Sequence, residues 1–165
     1  LPFEDNSIDF LVSDQVFEHV QDYPSTLNEI KRVLKPGGTS LHFFPSRYVV
    51  IEPHVHVPFA SVIQKKSWLN LWASLGIKTE AQKGLPPTEV AERNYHYLTS
   101  QTHYLSKSQI TNHCKTYFNN VRFCEDLFFK YIKRAPALYS ISKVAFFLPD
   151  IYSTMKTRVL FFSKS

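Results

Sequence analysis

Between Tyr23 and Leu34 the apolar residues Leu27, Ile30, Val33 and Leu34 recur at spacings of three and four, while Asn28, Glu29, Lys31 and Arg32 fall on the other side. That period predicts an amphipathic helix. Ser25 or Thr26 is placed to cap its start, and Lys31, Arg32 and Lys35 suit the negative end of its dipole. Pro36 cannot continue a helix, and Gly37 and Gly38 supply the positive-φ freedom of a sharp exit, so the helix is expected to end near Leu34. On either side the pattern changes to short apolar runs, "SIDFLVS" at 7–13 and "TSLHFFP" at 39–45, which read as buried strands. The resulting unit of strand, helix, glycine turn and strand predicts a right-handed crossover between parallel strands.

Further on, Phe59 to Leu75 reads as a helix with Val62, Ile63, Trp68, Leu69, Leu71 and Trp72 available to pack, stopped by Gly76. Its aromatics suit a core or lid. Before it, His54 and His56 alternate with Val55 and Val57 in an extended, Pro-bounded stretch, which places both imidazoles on one side. Such a pair suits metal binding, action on a bound acceptor or a polar edge; the last is favoured because no third ligand stands at close spacing. "ERNYHYLT", with Tyr95, His96 and Tyr97, is a half-exposed helix or a second lining element. Residues 137–148, "ALYSISKVAFFL", form an apolar helix ended by Pro149, with packing on a sheet preferred over capping a pocket or resting on a membrane surface.

Composition narrows the class. At 165 residues and 44% hydrophobic, the chain has material for one packed core rather than two. The formal charge of +5 comes from scattered Lys and Arg, so it reads as a solvated basic surface rather than a nucleic-acid groove. No apolar run approaches the roughly 18 residues of a membrane span. Cys114 and Cys124 lack the CxxC spacing and fit a reduced, cytoplasmic protein.

The ordered run "LPFEDNSIDFLVSDQVFEHVQDYPSTLNEIKRVLKPGG" resembles the second half of a class I S-adenosylmethionine-dependent methyltransferase of the type-11 group. The shared features are the Leu-Pro-Phe turn, the acidic turn before a fourth strand, the Glu-His pair and a helix closed by Leu-Lys-Pro-Gly-Gly. The resemblance implies an α/β, Rossmann-like sheet in which 7–13 is the fourth strand, 39–45 the fifth, "NVRFCEDLFF" the sixth and "KTRVLFFSKS" the seventh, antiparallel beside the sixth. It also makes "SKSQITNHCKTYF" a helix capped by Ser106. One partial domain is expected: a cofactor-side core at 1–46, an acceptor-side insertion at 47–105, and a final helix-strand-helix-strand part at 106–165.

The family grips its cofactor with a Gly-rich turn after its first strand. This chain has four glycines and no Gly-x-Gly, and it opens on a turn-rich stretch without Met. The expectation is therefore a carboxy-terminal part whose first three strands lie upstream in roughly 100 further residues, with a marginal fold and no activity on its own.

The resemblance implies S-adenosylmethionine as cofactor and a small metabolite, lipid or glycan precursor as methyl acceptor. It assigns Leu1, Pro2 and Phe3 to the adenine end and Ser13, Asp14 and Gln15 to the methionine end. For Ser13 a helix cap is the alternative, and both roles can hold at once; for Leu1 to Phe3 simple turn packing remains an equal alternative. Gln15, Glu18 and His19 stand at i, i+3 and i+4, one face of a short helix. Some quinone-pathway O-methyltransferases that resemble this segment hold a divalent metal with a carboxylate, a Glu and a His there. Here the neutral Gln15 takes the first place, so no metal is assigned. Glu18 and His19 are read as orienting or catalytic, with His19 as the base for a hydroxyl acceptor. His54, His56, Tyr95 and Tyr104 are assigned to acceptor binding. The competing reading is a non-catalytic interaction scaffold that keeps the fold.

Overall fold

Asp22 starts the helix predicted over 23–34, in place of Ser25 or Thr26. Its carboxylate accepts from the Ser25 N–H at 3.0 Å, and Pro24 occupies the first turn, where a missing donor costs nothing. In the computed structural model, which describes residues 1–131 and 147–165, this helix is α1 (Tyr23–Val33) and buries Tyr23, Leu27, Ile30 and Val33. Pro36 disfavours helical backbone at Lys35, and the chain leaves the helix at Leu34, which is extended with φ −68° and ψ 136°.

The Pro-Gly-Gly segment is not a turn outside the sheet. It is a bulge inside β2 (Leu34–Pro45), which pairs in parallel with β1 (Ile8–Asp14). Ile8 stands opposite Leu34, and Phe10 opposite Thr39, so Lys35 to Gly38 is excess chain between two paired positions. Gly37 has φ +76°, and a Cβ on Gly38 would sit 2.8 Å from the Lys35 carbonyl oxygen. Both positions require glycine, for different reasons.

β4 (Thr157–Ser163) runs antiparallel to β2, and β3 (Asn119–Phe123) antiparallel to β4, giving the order β1-β2-β4-β3. The last strand therefore sits antiparallel beside the one before it, as expected. The strand predicted over 120–129 is shorter: Cys124 makes a last ladder bond to Val159, and the chain turns into α5 (Glu125–Tyr131). Glu125 and Asp126 favour a helix start, and Glu125 faces Arg158 at 3.4 Å. Pro149 begins rather than ends a helix, standing in the first turn of α6 (Leu148–Met155). The helix expected over 137–148 lies almost wholly outside the described residues.

The predicted helix over 59–75 shortens to α2 (Lys66–Ser74), still closed by Gly76 at φ +91°. The Ile51–Pro58 bridge and the Phe59 N–H bond to the Val50 carbonyl hold 50–59 as a closed loop, and Phe59 has φ +53°, so helical backbone begins only past it. Inside that loop Glu52 to His56 is a turn, closed by the His56 N–H on the Glu52 carbonyl, with His56 at φ +59°. The extended stretch expected there does not exist.

Two apolar clusters result. Phe17, Tyr23, Leu27, Phe44, Phe118 and Phe162 fill the space between sheet, α1 and α4 (Lys107–Lys115), whose start is the Ser106 capping box with Gln109. Val55, Val57, Leu69, Ala91 and Leu98 join the 50–59 loop to α2 and α3 (Pro87–Gln101).

Candidate functional site

β1 delivers Ser13 at its carboxyl end, where ligands sit in open α/β sheets. Ser13 lines a largely apolar cavity of about 490 Å³ together with Leu1, Phe3, Val16, Ile30 and His42. His42 is buried and bonded on both sides, Nδ1 to Ser13 Oγ at 2.7 Å and Nε2 to Ser40 Oγ at 2.6 Å. Burial pushes its pKa down to about 3, so the ring is neutral. Of the residues assigned to the cofactor, Leu1, Phe3 and Ser13 meet around this cavity. Pro2, Asp14 and Gln15 are exposed. Gln15 has φ +55°, and its amide nitrogen lies 3.5 Å from the Asp14 carboxylate.

Past Gln15 the chain makes one 3₁₀ turn, Phe17–His19. Phe17 anchors it in the core against His42 and Phe44. The turn places Glu18 inside and His19 half-buried beside it. The segment joining α3 to α4 clamps this turn: the His103 N–H donates to the Glu18 carbonyl at 2.6 Å, and His19 Nδ1 lies 2.7 Å from the Gln101 carbonyl oxygen. A carbonyl only accepts, so His19 Nδ1 carries the proton and Nε2 of the neutral ring offers a lone pair.

The 50–59 loop supplies the other half. Glu52 is fully buried, and both its oxygens are satisfied: Oε1 accepts from His54 Nδ1 and from the Tyr104 hydroxyl, each at 2.6 Å, and Oε2 from the N–H groups of His54 and Val55. Burial acts to raise its pKa, but these hydrogen bonds outweigh it and hold Glu52 below the ordinary carboxylate range. The same bond raises His54 and keeps the proton on Nδ1. Burial and the neighbouring Glu52 push the Tyr104 phenol up, so it stays a donor.

The two halves meet. The His19 and His54 rings stand edge to face with centroids 4.9 Å apart, and one ligand atom from each of Glu18, His19 and His54 fits within a 4.8 Å span. Glu18 is 1% exposed, and neither side-chain oxygen has a hydrogen-bond partner among the described residues. Burial pushes its pKa up. Tyr97 stacks obliquely on His54 at 5.3 Å, and beside this pair opens a second cavity of about 360 Å³ that Arg93 and Asn94 also line.

The structure thus brings Glu18, His19, His54 and Tyr104 together and leaves two assigned residues outside. His56 is exposed on the far side of its turn, because the loop is not extended. Tyr95, two residues from Tyr97 on α3, faces α2 under the Lys66 ammonium at 4.9 Å; a step of two turns about 200° around a helix. Glu52 and His42 were missed by sequence reasoning, and Tyr97 was named only as part of a possible lining element. The only available signal for Glu52 was its place two residues before His54.

Residues 1–42 match the family described as a methyltransferase domain. A 38-residue stretch is 53% identical to the demethylmenaquinone methyltransferase of Staphylococcus saprophyticus, covering 23% of this chain and 16% of that protein. The same length and identity relate the chain to an uncharacterized methyltransferase of Schizosaccharomyces pombe, where it covers 14%. An S-adenosylmethionine-dependent methyltransferase of Mesorhizobium loti superposes on 99% of this chain and 65% of its own, with a TM-score of 0.50 at 12% identity. The fold is therefore an α/β methyltransferase-like fold with a mixed four-stranded sheet. The stretch shared with the two curated relatives spans only about one sixth of their length. Among the described residues, no helix is long and apolar enough to cross a membrane.

Proposed function

We propose that this chain takes part in S-adenosylmethionine-dependent methyl transfer to a small metabolite, lipid or glycan precursor. The observation that carries the reading is the cavity at the carboxyl end of β1, built by Leu1, Phe3 and Ser13 within the segment that matches the methyltransferase-domain family. In this reading the cofactor lies against Ser13 and the apolar residues around it, and the acceptor enters beside His54 and Tyr97. Methyl transfer asks the protein to align acceptor and donor and to exclude water. Glu18 and His19 then stand where an acceptor proton leaves, on a turn held by the core at Phe17 and by Gln101 and His103.

Calorimetric titration with S-adenosylhomocysteine tests this. Micromolar binding that is lost when Ser13→Trp fills the cavity supports the assignment. Absence of binding overturns the claim that this cavity suffices to hold the cofactor. A non-catalytic interaction role is the second reading, favoured by the apolar surface at the open edge of β1, where Phe10 is 56% and Val12 53% exposed. Methyl transfer to any acceptor would remove it.

A further inference from the structure

The group formed by Glu18, His19 and His54 is built as a metal site. We propose that it binds one divalent first-row transition ion through a Glu18 carboxylate oxygen and Nε2 of both imidazoles. This goes beyond the methyl-transfer reading, and only its link to an acceptor rests on that reading.

Three observations point to an ion. The first is Glu18 itself: a side chain 1% exposed whose two oxygens lack any hydrogen-bond partner among the described residues. Such a group is costly to bury without a partner. His19 Nε2 lies 3.9 Å from Oε1, too far for a hydrogen bond and a separation that an ion between them would draw in. The second is the orientation of the rings. Each Nδ1 is spent on an oxygen acceptor, Gln101 carbonyl for His19 and Glu52 carboxylate for His54, which leaves both Nε2 lone pairs for the cluster. Metal-ligating imidazoles are held this way by a carboxylate or backbone carbonyl behind them. The third is that Glu52 carries four hydrogen bonds and is itself fixed by Tyr104, so the support behind His54 is rigid.

Two imidazoles and one carboxylate suit Zn²⁺ or Fe²⁺ and leave positions open for water or a ligand oxygen. Calcium and magnesium prefer oxygen ligands throughout. If the acceptor is a hydroxyl, an ion here binds its oxygen and lowers its pKa. His19 and Glu18 then act by holding the ion instead of taking the proton.

The test is titration of the chelator-stripped chain with Zn²⁺ alone, followed by calorimetry, and with Co²⁺, followed by its visible d–d absorption. The expected result is one site per chain that His54→Ala abolishes. Glu52→Gln weakens it about tenfold by removing the support behind His54. Circular dichroism verifies folding of each variant, and His56→Ala, an exposed histidine of the same loop, keeps full binding. No binding by the wild-type chain, or binding that His54→Ala leaves unchanged, overturns the proposal. Neither outcome depends on cofactor binding, so failure of the metal site and failure of the methyl-transfer reading are told apart.

Discussion

Glu52 shows how one residue organises two elements. Its carboxylate ties the turn at His54 and Val55 to Tyr104, 52 positions away in sequence. Glu52→Gln keeps the shape but turns an amide N–H₂ toward groups that are all donors. We expect a loss of about 1–3 kcal/mol, measured by urea unfolding. Gly37 and Gly38 make a second residue-scale case. Gly37→Ala is expected to cost about 1 kcal/mol because of its positive φ. Gly38→Ala is expected to cost more, because the atom its Cβ meets at 2.8 Å belongs to the backbone. His42 sets a pH dependence. Its folded pKa, about 3, lies below the ordinary value near 6.5, so the unfolded chain binds the extra proton first. The stability His42 confers as a neutral ring is complete above about pH 6.5 and falls by up to about 1.4 kcal/mol per pH unit toward pH 3. Chemical denaturation at pH 7, 6, 5 and 4 is expected to show that slope, and His42→Gln to flatten it.

At the scale of elements, α1 was the part of the fold most open to sequence reasoning. Its period and its proline stop are local, so its core face and its end at Leu34 were legible. Its cap was misplaced by three or four residues because Asp22, Ser25 and Thr26 are all competent caps, and Pro24 in the first turn selects Asp22. What finishes the helix was not legible. Lys164, just past β4, sends its ammonium to the Lys31 and Leu34 carbonyls at 2.6 and 2.7 Å and to the Asn6 side chain. It satisfies carbonyls that the helix end leaves without partners. Lys164→Met is expected to cost about 1 kcal/mol and to raise amide exchange in the last turn of α1 while leaving α3 unchanged. The shortened α2 has the opposite lesson. An apolar pattern over 59–75 was read as one helix, but the Phe59 N–H is spent on the Val50 carbonyl and Phe59 has φ +53°, and the helix starts only at Lys66.

For the whole molecule, the open edge of β1 is the feature with the largest physical consequence. Among the described residues β2 pairs with one edge of that strand and no strand pairs with the other, and Phe10 and Val12, two residues apart and so on one face, stand exposed. An uncovered strand edge with apolar side chains invites pairing with another chain. Phe10→Lys together with Val12→Lys is expected to lower self-association, read by sedimentation velocity, with circular dichroism unchanged. If the double variant associates as strongly as the parent, the contact lies elsewhere.

What the amino-acid order determined by itself was local: the period of α1, the strand character of 7–13 and 39–45, the glycine requirement after Pro36, and the run whose likeness to methyltransferases the family match at residues 1–42 supports. What only the tertiary structure decided was which chemistry-bearing residues meet. Gln15, Glu18 and His19 do not share the α-helix that their spacing suggests, because Gln15 has a positive φ and the turn over Phe17–His19 is 3₁₀, whereas His54, 35 positions after His19, comes into ring contact with it. Periodicity reports neighbours three or four residues apart. A loop folded back by one buried carboxylate obeys no period, so the partner of the Glu-His pair was set by Glu52 and its four hydrogen bonds.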